Sequence, residues 1–128
     1  MLSNEQIDVA VNWWAEAIQN PKQDNGDTSE NGFMSSMMMA LLVETVTPEQ
    51  VEAFKSALKD GLEQDERPRL GVDYKPYGLL SVAISLAGIS LNNAPIKTEM
   101  VFTEGGGVKV SYGYGATFET LLGEIDHG

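Results

Sequence analysis

The apolar residues of this chain repeat with two different periods, and the change falls at Pro95. Before it they recur every three or four residues, the spacing that keeps side chains on one face of a helix. After it they recur every second residue, the spacing of a strand with one buried face. Ile96, Thr98, Met100 and Phe102 lie on one side, and Lys97, Glu99, Val101 and Thr103 on the other. Glu104-Gly105-Gly106-Gly107 makes a turn, after which Val108, Val110, Tyr112 and Tyr114 alternate with Lys109, Ser111 and Gly113. Two alternating arms joined by glycines that can take positive φ predict an antiparallel β-hairpin. A lone hairpin is marginal, so this one must pack on what precedes it.

Four helices are expected ahead of the hairpin. Ser3 with Gln6 forms a capping-box pattern, followed by an apolar stripe of Ile7, Ala10, Val11, Trp14 and Ile18. Asn20-Pro21 stops that helix, because the residue before a proline is driven out of the α region. A polar loop from Lys22 to Asp27 leads to a second helix capped by Thr28 or Ser29, with Phe33, Met34, Met37, Met38, Leu41 and Leu42 on its apolar face. Thr47-Pro48-Glu49-Gln50 starts the third, burying Val51, Phe54, Leu58 and Leu62. Glu52 with Lys55, and Lys59 with Glu63, are spaced for surface pairs on it. The fourth runs from about Pro76 to Ala87, with Gly88 at the left-handed position that follows a helix end. The tail adds a short turn around Phe118, Leu121 and Leu122. The expected architecture is a helix-rich α+β single domain over residues 1–128, about four helices plus a C-terminal antiparallel β-hairpin.

Composition excludes more chemistry than it suggests. The 128 residues carry 8 basic and 19 acidic side chains, a net charge of −11, no cysteine and one histidine, His127. No cysteine means no disulfide, no thiolate zinc site and no thiol nucleophile. A single histidine leaves no basis for a Ser-His-Asp triad or a multi-histidine metal site. Catalysis would rest on carboxylates alone, such as Asp24 with Asp27 or Asp73 with Glu66, and nothing singles such a pair out among 19 acids. The chain therefore reads as a non-enzymatic protein with no cofactor and no metal. The Met37–Val43 apolar run is far shorter than the roughly 20 residues that span a bilayer, and Met1–Glu5 shows no basic leader. A cytoplasmic protein that avoids membranes is the expectation.

Several clusters could hold a partner or ligand. Asp24-Asn25-Gly26-Asp27-Thr28-Ser29-Glu30 is the densest group of oxygen ligands, but it lacks the spacing of a calcium loop, and an Asn-Gly turn capping a helix explains it without an ion. Trp13 lies at the edge of the first helix's stripe, either as a boundary residue or as a stacking surface. Met37-Met38-Met39 spreads over more than half of a helix turn, for core filling or, if exposed, for an apolar partner or a homodimer. Arg67 and Arg69, the two arginines of the chain, bracket Pro68 ahead of Tyr74 and Lys75. They either grip a phosphate or carboxylate, or neutralise Glu63, Asp65 and Glu66 nearby. Gly105-Gly106-Gly107 lies between strands and is no phosphate-binding loop.

The segments Val11–Ala15 and Pro21–Asp27, with Ser111–Ala116 near the end, resemble a group of small phage and prophage proteins. Small acidic phage proteins include inhibitors of host defence: anti-CRISPR proteins, DNA mimics that block nucleases, and sponges for nucleotide signals. The resemblance implies that setting and supplies no site residues. A DNA mimic would carry denser acid laid along one face, whereas here the acids are spread along the chain.

Two functions follow as expectations. The first is inhibition of a host defence effector, such as a CRISPR complex, by binding its basic, nucleic-acid-handling surface. Asp24, Asp27, Glu30, Glu63, Asp65 and Glu66 would meet its lysines and arginines, and the excess of acid disfavours direct binding of nucleic acid. The second is sequestration of a nucleotide or related anion by Trp13, Lys22, Arg67, Arg69, Tyr74 and Lys75.

Overall fold

The computed structural model describes residues 2–19, 44–65, 68–73, 75–95, 97–112 and 117–123. Its elements are α1 (Asn4–Gln19), α2 (Pro48–Gln64), β1 (Leu70–Val72), α3 (Gly78–Leu86), a 3-10 turn (Leu91–Asn93), β2 (Thr98–Phe102), β3 (Val108–Tyr112) and β4 (Phe118–Leu122). The fold is mixed α+β.

The starts of α1 and α2 are those the sequence predicts. Gln6 donates its N–H to Ser3 Oγ (3.1 Å), and Gln6 Oε1 accepts the Ser3 N–H (2.8 Å), which closes the capping box of α1. Thr47 and Gln50 repeat the arrangement at α2. On the inner face of α1, Ile7, Ala10, Val11, Trp14 and Ile18 are buried, and on α2 Phe54, Leu58 and Leu62 are. Val51 is half-buried. Gly61 lets α2 approach α3, since a Cβ there would stand 3.0 Å from Leu79 Cδ2. Among the described residues, neither pair expected along α2 forms a salt bridge, whereas Lys97 pairs with Asp73.

α3 is shorter than expected because Pro76 pairs with Val72 in an isolated bridge before the helix begins. Its end matches the prediction. Gly88 has φ +70°, its N–H reaches Ser85 O, and Ile89 N–H reaches Ile84 O, both at 3.1 Å. Gln50 Nε2 donates to Gly88 O at 2.9 Å, so the residue that caps the start of α2 also ties down the end of α3.

The hairpin is present but is not the whole sheet. β2 and β3 pair antiparallel as expected, with Met100 opposite Val110, within a four-stranded antiparallel sheet of order β1-β2-β3-β4. β1, a strand the sequence pattern does not announce, pairs Leu70 with Met100 and Val72 with Thr98. β4, expected as a short turn, pairs with β3 through an irregularity at Val108 and Lys109. Leu70, Val72, Thr98, Met100, Val108 and Val110 form the buried face of the sheet. α1 packs on β3 and β4, α3 packs on β1, and α2 packs principally on α1 and α3. Three α-helices stand among the described residues, not four. The second helix expected from Thr28 or Ser29 to Leu42, the loop before it and Met37–Met39 lie outside them.

Two buried polar side chains bind these layers together. Gln6 Nε2 donates to Thr103 O and Gly107 O, both at 3.1 Å, and so fixes the start of α1 to the β2–β3 turn. Asn93 is fully buried; its Nδ2 donates to Ile18 O (2.9 Å) and Glu44 O (2.7 Å), and its Oδ1 accepts the Glu44 N–H (2.9 Å). A buried amide satisfied on both ends holds chain segments that apolar packing alone would leave free to slide.

Candidate functional site

The structure gives two candidate surfaces: the acidic outer faces of α1 and α2, and a groove at the β1–β2 edge of the sheet. The α1 face follows from helical spacing. Glu5, Asp8, Asn12 and Glu16 fall opposite the buried stripe, all four are exposed, and α1 contains no lysine or arginine. On α2 the exposed residues include Glu49, Glu52, Asp60 and Glu63, four carboxylates against Lys55 and Lys59. Neither helix has a basic residue in its last turn, where Glu16 and Glu63 stand. A carboxylate at a helix C-terminus opposes the helix dipole at a cost of about 0.3–1 kcal/mol. These two side chains therefore do not serve the stability of their own helices.

Of the acidic residues singled out from the sequence, Glu63 is exposed on the last turn of α2, and Asp65 is half-buried at its C-cap. Asp24, Asp27, Glu30 and Glu66 lie outside the described residues. Sequence reading overlooked the α1 face, although its signal was legible: acids at positions 5, 8 and 16, off the apolar stripe, with no intervening cation.

The groove encloses about 830 Å³ between Leu2, Gln6, Pro68, Arg69, Tyr77 and the strip Glu99–Glu104. It exists because β1 starts at Leu70, so β2 runs on past the paired part of its neighbour toward Glu104. Gly71 lets Tyr77 lie over the strand, since a Cβ there would meet the Tyr77 hydroxyl at 2.2 Å. Arg69, Tyr77 and Phe102 share this lining, the mixture of a cation and aromatic surface that can hold a conjugated anion. Glu99 and Glu104 share the lining, however, and two carboxylates outnumber the one guanidinium.

Of the other residues expected at a ligand site, the two that are described do not line the groove. Trp13 is half-buried on α1, with its ring centroid 4.8 Å from that of Trp14 in an edge-to-face arrangement, and does not line the groove. Lys75 is exposed in the β1–α3 connection, also outside the groove. Lys22, Arg67 and Tyr74 lie outside the described residues. The joining of Arg69 to Phe102 and Thr103 had no sequence signal, because it depends on the pairing of the three-residue strand β1. Among the described residues no three histidine or carboxylate side chains gather as metal ligands would. The chain matches no protein-family model and no curated protein sequence.

Proposed function

We propose that the protein is a non-enzymatic inhibitor that docks its acidic helical faces on a basic, nucleic-acid-handling surface of a partner protein. The observation that carries this reading is the cation-free outer face of α1, with Glu5, Asp8 and Glu16 all exposed. Such a face accelerates encounter with a basic surface and selects against acidic ones. The resemblance to small phage proteins makes a host defence effector the partner to test, a CRISPR complex first. Added to a purified, guide-loaded CRISPR effector, the protein is expected to suppress binding of target DNA, with suppression relieved as salt rises. Unchanged DNA binding at a large molar excess of the protein contradicts the proposal.

The groove favours a second reading, sequestration of a nucleotide-like anion between Arg69, Tyr77 and Phe102. Its two carboxylates make it the weaker of the two. A nucleotide that binds adds RT ln(1 + [L]/Kd) to stability, so a thermal-shift panel decides it. Gly71→Ala, which displaces the Tyr77 hydroxyl, should abolish any shift; no shift with any nucleotide removes this reading.

A further inference from the structure

The twenty-one residues from Pro76 to Ile96 contain no charged side chain, in a chain of which 21% of residues are charged. α3 lies inside that stretch. Its inner face is ordinary: Leu80, Ala83 and Ile84 are buried, and Leu79 rests against Gly61 of α2. Its outer face is not. Val82 is 56% exposed and Leu86, one helical turn on, is 72% exposed, with the exposed Ser85 beside them. Leu91, on the 3-10 turn that packs against α3, is 41% exposed. A surface helix normally turns charged or polar residues to water, and a grouped apolar patch marks a contact.

We propose that this face of α3 is a self-association surface, on which two copies of the chain meet about a two-fold axis. Charge decides the occupant. Two molecules of net charge −11 repel wherever carboxylates face each other, and the α3 face, within the uncharged Pro76–Ile96 stretch, brings no charge of its own to such a contact. A basic partner gains nothing from a surface that lacks carboxylates, and an anionic membrane repels the molecule as a whole. In an antiparallel crossing Leu86 of one copy lies against Val82 of the other, and Ser85 adds no bulk between the helices.

The repulsion between copies fixes the sign of the salt effect. Screening weakens it, so the dimer tightens as salt rises, the reverse of binding to a basic partner. Sedimentation equilibrium on the full chain over about 5–500 μM, at about 50 mM and about 500 mM NaCl, reads this directly. A monomer–dimer equilibrium that is tighter at the higher salt is expected. Leu86→Glu and Val82→Glu should each weaken it tenfold or more, and Leu86→Ser should weaken it less. All three replace exposed side chains, and an unchanged circular dichroism spectrum and urea midpoint at low concentration show that they fold. Val101→Glu, on the opposite face of the sheet, should dimerise as the wild type does. A monomer at the highest concentration in both salts overturns the proposal and assigns the patch to a different partner. Dimerisation unaffected by Leu86→Glu, equal loss with Val101→Glu, or assembly beyond the dimer also overturns it.

Discussion

α1 and α3 meet the core in the same way and meet water in opposite ways. Each buries a stripe of large apolar residues, Ile7, Trp14 and Ile18 on one and Leu80 and Ile84 on the other. Outside, α1 carries Glu5, Asp8 and Glu16 with no cation, whereas α3 carries Val82 and Leu86 with no charge at all. Folding needs the inner stripes and is nearly indifferent to the outer faces, since surface substitutions typically change stability by less than about 0.5 kcal/mol. The outer faces are therefore free to be set by what each helix meets in solution. A basic partner on α1 and a second copy on α3 suit the two compositions.

The comparison breaks first if the inner faces differ in weight. Trp14→Ala should cost about 3–5 kcal/mol and Ile84→Ala about 2–4 kcal/mol in urea unfolding, because both leave cavities in a closed core. A loss below about 1 kcal/mol at either site would mean that its helix is not held by its stripe. Trp14 Nε1 is buried with no hydrogen-bond partner among the described residues, so Trp14→Phe should cost much less than Trp14→Ala.

Next come the polar ties. Asn93→Ala removes the side-chain donor to the carbonyls of Ile18 and Glu44. Gln6→Ala removes one of two donors to the carbonyls of Thr103 and Gly107, which keep the N–H groups of Gly106 and Thr103, and also the acceptor of the Ser3 N–H. Each should cost about 2–3 kcal/mol. Equal losses would show α1 anchored at both ends, and hydrogen exchange at Val108 and Val110 should rise in the Gln6 variant. Smaller effects sharpen the picture of the helix ends. Thr47→Ala and Gly88→Ala should each cost about 1 kcal/mol, the first through a lost cap and the second through φ +70°. Smallest of all, Asp8→Ser and Leu86→Ser should shift the unfolding midpoint of dilute protein by less than about 0.5 kcal/mol in equivalent stability.

What could be read from the sequence had local causes. The caps at Ser3 and Thr47, the helix end at Gly88 and the alternation of β2 and β3 are each set by residues a few positions apart. The missed strands had none of that support. β1 is three residues long with a central glycine, is buried along its whole length, and shows no alternation. β4 lies at the end of the strand order with most of its residues exposed, so its sequence carries little of the hydrophobic pattern that marks a strand. The groove inherits that blindness, since Arg69 shares a lining with Phe102 only because β1 pairs with β2. The acidic face of α1 needed no tertiary information, only attention to which charges share the side opposite Trp14.

The most direct test of the division between the two outer faces is one binding series against a purified CRISPR effector. It compares wild type, the triple variant Glu5→Lys/Asp8→Lys/Glu16→Lys, and Leu86→Glu, each titrated at about 50 mM and about 500 mM NaCl. Wild-type affinity should fall at least about tenfold at the higher salt, the triple variant should fail to bind at either, and Leu86→Glu should bind within about threefold of wild type. Wild-type affinity that is flat with salt, or a triple variant that binds as tightly as wild type, would contradict the assignment of α1 to a basic partner.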